Sequence, residues 1–353
     1  MLSRFRKASF RHFRENEAQI NELLYLFWET TLRCNLNCLH CGSDCTKDAS
    51  VPDMPFDDFL KAILPLHKHY KRDSIIVIIT GGEPLVRKDL AENGRRLREN
   101  GFRWGIVTNG ILYDIEKQNE LLNAGMGSVT LSLDGLEDNH NWLRGTSVAF
   151  KKALNALELI GSQKRLNADV VTCVNQRNFH ELGKISDLVH QNGLAQLLFT
   201  ISPIGRAKDN PDLFLSNTQM KEMMDFIVTQ REKGREVSFS CEGYTGGYEE
   251  KVRDGFFFCR AGIHIGSILA DGSIGACPNV DPGFSQGNIY KDDFTDVWMN
   301  RYQDFRDRSW TKTGICADCK EHKYCNGNGF HLWDAKRDEV LVCHHRKIIG
   351  EDR

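Results

Sequence analysis

Residues 74–110 read SIIVIITGGEPLVRKDLAENGRRLRENGFRWGIVTNG, and this stretch decides the architecture. The β-branched run from Ser74 to Thr80 predicts a buried strand. An amphipathic stretch from Asp89 to Asn100 predicts a helix, and Gly101 stands where its C-cap would fall. Phe102 to Asn109 is then a second strand. Strand, helix and strand in so short a span make one unit of a parallel sheet.

The same rhythm runs outward in both directions. Strands are expected at Leu24 to Thr31, Ser128 to Asp134, Ala168 to Val174 and Gln196 to Ser202. Helices are expected near Phe56 to Tyr70, Ile115 to Ala124, Phe150 to Ser162, Phe179 to Gln191 and Gln219 to Lys233, with Gly125 and Gly193 as further C-caps. Six such units predict a partial (β/α)6 TIM-like barrel, with an open doubly wound sheet as the competing topology. After Gly234 the rhythm stops. The remainder is rich in Cys, Gly, Asp and aromatics, and seven of the twelve cysteines fall there. So small and irregular a domain lacks the apolar content for a large core, which makes metal its natural staple. The expected division is a basic, solvated N-terminal helix over 1–20, a barrel core over 21–235 and a cysteine-rich domain over 236–353.

The chain has 353 residues and a formal net charge of -2, which gives no electrostatic reason to expect nucleic acid or an anionic membrane as partner. No apolar run is long enough to span a bilayer, and no apolar h-region follows the basic start. Twelve cysteines without an export signal read as metal-binding or catalytic in a reducing cytoplasm, rather than as disulfides.

Cys34, Cys38 and Cys41 lie in the loop just past the first strand, where a barrel carries its chemistry. Three thiolates in one loop can hold three irons of a cubane and leave the fourth open to a ligand. Zinc, completed by Cys45 or His40, is the competing reading. The spacing C-x3-C-x-aromatic-C, with His40 in the aromatic position, resembles the signature of the radical S-adenosylmethionine (SAM) superfamily. That resemblance implies a 4Fe–4S cluster whose open iron chelates SAM, which is cleaved reductively to methionine and a 5′-deoxyadenosyl radical that abstracts a substrate hydrogen.

Other strand ends carry the rest of the pattern. Thr80-Gly81-Gly82-Glu83-Pro84 closes the second strand; its glycines would let backbone approach a ligand, and its carboxylate could pair with a cation. By resemblance to the family's GGEP motif, Glu83 would hold the methionyl ammonium. Val107-Thr108-Asn109-Gly110 and Leu131-Ser132-Leu133-Asp134-Gly135 close the third and fourth strands. The resemblance places Asn109, Ser132 and Asp134 at the cofactor, and Arg144 on the SAM carboxylate, which its fork matches. Taken singly, Asn-Gly and Asp-Gly are turns, and Arg144 and His140 are surface polar residues. Cys45 receives no role, and Cys173 reads as a small core residue.

In the C-terminal region Cys316, Cys319, Cys325 and Cys343, with Cys259 and Cys277 upstream, suggest either zinc or a four-thiolate cubane. His322, His331, His344 and His345 are further zinc candidates. The spacing resembles the SPASM extension of radical SAM enzymes, which holds auxiliary iron–sulfur clusters. That resemblance gives Cys316, Cys319, Cys325 and Cys343 to a distal cluster and Cys259 and Cys277 to a nearer one. Where the family expects another cysteine this chain has Gly329, so one or two auxiliary clusters are implied, with Cys241 a possible substitute ligand.

SPASM-bearing enzymes mostly modify peptides or protein side chains, which implies a peptide or small protein substrate and an electron donor such as flavodoxin or ferredoxin. A haem-pathway relative acting on porphyrin side chains is the runner-up, and a zinc-stapled binding protein the reading from another class. Tyr244, Tyr248, Glu242 and Asp281 are polar residues of the tail for which structural roles are expected.

Overall fold

The computed structural model describes residues 2–49, 51–240, 242–336 and 339–351, with side chains from residue 5. A helix, α1 (Leu2–Ile20), precedes the first strand, β1 (Tyr25–Thr31). The alternation then runs α2 (Phe56–Ile63), β2 (Ile76–Gly81), α3 (Leu90–Glu99), β3 (Arg103–Thr108), α4 (Ile115–Asn123) and β4 (Ser128–Ser132). Two helices follow, α5 (Glu137–Arg144) and α6 (Ala149–Gly161), then β5 (Asn167–Val174), α7 (Leu182–Gln191), β6 (Ala195–Thr200), α8 (Asn217–Glu232) and β7 (Val237–Phe239). Strands β1 to β7 pair in sequence order and in parallel, Phe27 opposite Ile78 and Ile79 opposite Ile106. A doubly wound sheet reverses its strand order; this one does not, so it is the partial barrel.

The parallel series extends four residues past the expected boundary at 235, because β7 pairs with β6 through Val237 and Gln196. The C-terminal region continues the sheet at its other edge. There β8 (Ile265–Ile268) lies parallel to β1, and β9 (Ser273–Gly275) and β10 (Gly287–Asn288) follow antiparallel. Short helices complete the chain: α9 (Glu249–Val252), α10 (Phe294–Asn300), α11 (Gln303–Arg306), α12 (His322–Cys325) and α13 (His344–Ile349). Among the described residues, no helix is long and apolar enough to cross a membrane.

Burial alternates along the strands. In β2, Val77 and Ile79 are fully buried in the cluster that includes Phe59, Ile63 and Leu97 of the helices, whereas Ile76 and Ile78 remain half-buried. Helices cover one face of a barrel wall, and an unclosed barrel leaves the other partly open. Trp28 of β1 stacks on Phe59 of α2 with ring centroids 4.4 Å apart.

The N-terminal helix is not the solvated element its basic composition suggests. Arg14 is 7% exposed and donates to the carbonyls of Tyr324, at 2.6 Å, and Lys323. Glu17 pairs with His264 at 2.8 Å, and Phe10 packs on Phe256. The apolar and arginine positions of one helix face thus lie on the C-terminal domain.

Candidate active site at the strand C-termini

Parallel strands in sequence order bring their C-terminal ends to one mouth. The segment after β1 carries Cys34, Cys38 and Cys41, and that after β2 carries Gly81, Gly82 and Glu83. The glycines approach backbone rather than open space. A β-carbon on Gly81 would press into the carbonyl of Thr31, and one on Gly82 into that of Arg33, with Cys34 Cβ 3.1 Å away. Gly82 N–H donates to Thr31 O at 2.8 Å and Glu83 N–H to Arg33 O at 3.0 Å. The pair therefore seats the cysteine loop, where close approach to a ligand was expected.

Glu83 is 1% exposed. Its Oε1 accepts from Leu85 N at 3.1 Å and Thr108 Oγ1 at 2.9 Å, and its Oε2 from Asn109 N at 2.8 Å. Burial pushes its carboxyl up to about 7 despite these donors. Asn109 turns its amide to the cysteine loop, donating to Asn35 Oδ1 at 2.8 Å and reaching Cys34 Sγ at 3.9 Å.

Asp134 is wholly buried two residues beyond β4, and Arg144, the last residue of α5, is 7% exposed. Arg144 Nε donates to Asp134 Oδ2 at 2.6 Å, and its Nη2 pairs with the same oxygen. Its Nη1 reaches Cys38 Sγ at 3.7 Å. Burial opposes ionisation of Asp134, but the guanidinium holds its carboxyl below the usual range. Arg144 is thus paired within the protein and aimed at a cluster-loop thiol. Ser132 is half-buried at the end of β4. His40 and Cys173 join Asp134 with ligand atoms within 4.8 Å of one another. Burial lowers His40 to about 4, and its Nδ1 lacks a partner among the described residues. His140, 1% exposed, accepts Asp134 N–H at its Nδ1, 3.0 Å away, rather than lying on the surface.

The donor set fits an iron–sulfur cluster better than zinc. Tetrahedral zinc draws its thiolates to within roughly 4 Å of each other. Among the described residues the three-ligand group with atoms within 4.8 Å of one another is His40, Asp134 and Cys173; Cys34, Cys38 and Cys41 do not form such a group. N–H donors address all three sulfurs: Asn109 at Cys34, Arg144 at Cys38 and the Cys45 amide at Cys41, 3.4 Å away. Such bonds stabilise thiolates and cluster sulfur. Cys34 is pushed up to about 11 by burial, so metal must supply the driving force for its ionisation. Cys45 is buried and donates to Cys41, which lowers Cys41 and raises Cys45.

In the C-terminal domain Cys316, Cys319, Cys325 and Cys343 act on one another's charge and so form one group. Cys259 stands beside Phe330, whose N–H reaches its sulfur at 3.4 Å, and Cys277 packs on the main core. Of the histidines offered as zinc ligands, two hold a hydroxyl through Nε2, while Nδ1 of His344 and of His345 is buried without a hydrogen-bond partner among the described residues. His322 bonds Thr311 at 3.0 Å, His344 bonds Thr200 at 3.0 Å, His345 packs on Tyr244, and His331 lies against Gly329. A β-carbon at Gly329 would meet the Glu242 carbonyl, so the place of the expected cysteine is filled by backbone. Cys241 lies outside the described residues.

Several contributors escape the sequence reading. Thr108 bonds Glu83 and is found beside Asn109 at the same strand end. Arg206 donates from Nε to Cys38 O and from Nη2 to Cys45 O, both at 3.0 Å, and no local motif marks it. Glu242 makes a structural contact, accepting from Thr200 N at 2.7 Å, and burial raises it to about 8. A cavity of about 630 Å³ opens between the end of β6 and the C-terminal segment, lined by Thr200, Ile201, Phe214, Cys343, Arg346 and Lys347 among others. It does not include the cysteine loop after β1.

Comparison with known proteins places these features. The family model of the radical SAM superfamily matches residues 28–189, and that of the SPASM iron–sulfur cluster-binding domain matches 259–320. The chain is 27% identical to an Fe-coproporphyrin III synthase of Methanosarcina barkeri, over 85% of this chain and 82% of that one. It is equally 27% identical to the mycofactocin maturase MftC of Mycobacterium tuberculosis, over 88% of this chain and 79% of the maturase. Among solved structures, anSMEcpe with bound AdoMet superposes with a TM-score of 0.70 at 19% identity, covering 92% of this chain and 94% of that one. Streptococcus suis SuiB bound to its precursor peptide SuiA gives 0.68 at 16%, covering 88% and 72%.

Proposed function

The chain belongs to the radical SAM superfamily and carries a SPASM iron–sulfur domain, and we propose that it modifies a ribosomally made peptide or protein side chain by hydrogen abstraction. The observation that carries the enzymatic reading is the meeting, at one barrel mouth, of three thiols, a buried carboxylate and a buried guanidinium. Cys34, Cys38 and Cys41 would hold the 4Fe–4S cluster, which when bound with SAM supplies the reductive cleavage that generates the abstracting radical. Glu83, fixed by three donors, holds negative charge for the SAM ammonium. Arg144 and Asp134 close the site beside Cys38. His40, Asn109 and Ser132 complete the cofactor wall, and Gly81 and Gly82 hold the cysteine loop in register. Cys316, Cys319, Cys325 and Cys343 would hold an auxiliary cluster. We divide the chain functionally into the helix 1–20, the core 21–235 and the cluster domain 236–353, with a flavodoxin or ferredoxin as electron donor.

The mycofactocin maturase, which the chain matches over 88% of its length, supports the peptide substrate. A second reading, a tetrapyrrole substrate, is favoured by the Fe-coproporphyrin III synthase relative and by the cavity beside β6. Its apolar walls suit a flat macrocycle.

The test is anaerobic reconstitution, analysis of iron, sulfide and zinc, and incubation with SAM and dithionite. 5′-Deoxyadenosine should form, and deuterium from a labelled candidate peptide should enter it. Transfer from iron-coproporphyrin III instead would replace the peptide reading. Bound zinc with no deoxyadenosine would overturn the enzymatic one.

A further inference from the structure

Arg308 is 4% exposed, and its Nε and Nη2 have no hydrogen-bond partner among the described residues. A guanidinium cannot shed its proton, so burying it without an anion is strongly unfavourable. The groups that act most on its charge are thiols rather than carboxylates: first Cys259, which it also hydrogen-bonds, then Cys325 and Cys316 of the four-cysteine group. A four-thiolate cubane supplies what is missing, a net negative charge and sulfur acceptors.

A second buried arginine approaches from another element. Arg14 of α1 reaches the same corner, donating to the carbonyls of Tyr324 and Lys323 immediately before Cys325. Cys325 and Arg308 both act on its charge. Two cations therefore converge on one cysteine group, and one of them comes from the far end of the chain.

We propose that Arg308 donates hydrogen bonds to the auxiliary cluster held by Cys316, Cys319, Cys325 and Cys343 and, together with Arg14, holds its reduction potential up. Reduction adds negative charge to the cluster, and adjacent buried cations favour that state. The N-terminal helix thus acts as an electrostatic strap on the auxiliary cluster. Arg308 and Arg14 are positioning residues and touch no substrate. The proposal rests on the assignment of those four cysteines to a cluster.

The full-length reconstituted chain is titrated anaerobically with EPR detection, the barrel cluster being recognised by its response to SAM. In Arg308→Gln the auxiliary midpoint should fall, changing the oxidised-to-reduced ratio about tenfold at fixed ambient potential, ~59 mV for one electron. Arg308→Lys keeps the charge and should retain more than half of that potential, and Arg14→Gln should give a smaller fall. Iron content should be unchanged in all three. An unmoved or raised midpoint in an iron-replete Arg308→Gln overturns the proposal, as does an Arg308→Lys shift equal to that of glutamine. If Arg308→Gln fails to hold its cluster, Arg14→Gln decides: a fall supports the proposal and no change overturns it. Wild-type protein without auxiliary iron would instead refute the cysteine assignment.

Discussion

Glu83→Gln separates the electrostatics of this site from its packing. The carboxyl is fully buried and raised to about 7 from an ordinary 4.5. At pH 8 it is ionised both folded and unfolded, so the shift corresponds to a cost of about 3 kcal/mol to the folded chain. A raised folded value means that stability is lost as pH rises, from below 4.5 to above 7. Glutamine removes that cost. It also puts a donor opposite either the Asn109 N–H or the Leu85 and Thr108 donors, which leaves a buried N–H unpaired at about 1–3 kcal/mol. The effects oppose each other, so thermal or denaturant unfolding at pH 8 should show a net change within about 2 kcal/mol. At pH 5 the variant should compare less favourably with wild type, because the cost it removes is smaller there. SAM affinity should behave differently. Losing a charge-assisted bond to the ammonium removes about 2 kcal/mol, or roughly thirtyfold in Kd. Anaerobic equilibrium binding across pH 6 to 8.5 measures this. Unchanged affinity would remove Glu83 from the site, and destabilisation well beyond 3 kcal/mol at pH 8 would refute the burial argument.

Replacing Cys34, Cys38 and Cys41 together by Ala should abolish deoxyadenosine formation and lower iron by about four per chain, leaving the C-terminal iron in place; retained SAM cleavage would refute the loop assignment. Arg144→Met should destabilise by about 3–5 kcal/mol because Asp134 is left buried and charged, and Asp134→Asn in the same chain should recover much of it; a double-mutant cycle in urea measures this, and additivity would show the pair uncoupled. Gly82→Ala should displace the cysteine loop and lower iron by about four while the far-ultraviolet spectrum stays that of wild type; full iron would show that the close approach to Arg33 is not needed. Gly329→Cys should add no iron, since backbone occupies the space, and an increase would show that the nearer cluster site is open.

Periodicity made the barrel legible because parallel strands and their covering helices each impose a local pattern. The loop of Cys34, Cys38 and Cys41 and the Gly81–Gly82–Glu83 turn were legible because their residues are contiguous and fall at strand ends. The short strands β7 to β10 were not, since two to four residues carry no usable period. Nor was the packing of α1: a basic helix reads as solvated until Arg14 meets the carbonyls before Cys325, more than 300 positions away.

By itself the sequence determined which chemistry the chain can do: the thiol spacing, the strand-end carboxylate and the order of units along the barrel. Only the tertiary structure decided what those groups face. It set the glycines against the cysteine loop, paired Arg144 with Asp134, closed the space at residue 329 and left Arg308 buried among thiols. Spacing along a chain is fixed by covalent bonds, whereas burial, pairing and charge compensation depend on residues that meet only when the sheet assembles.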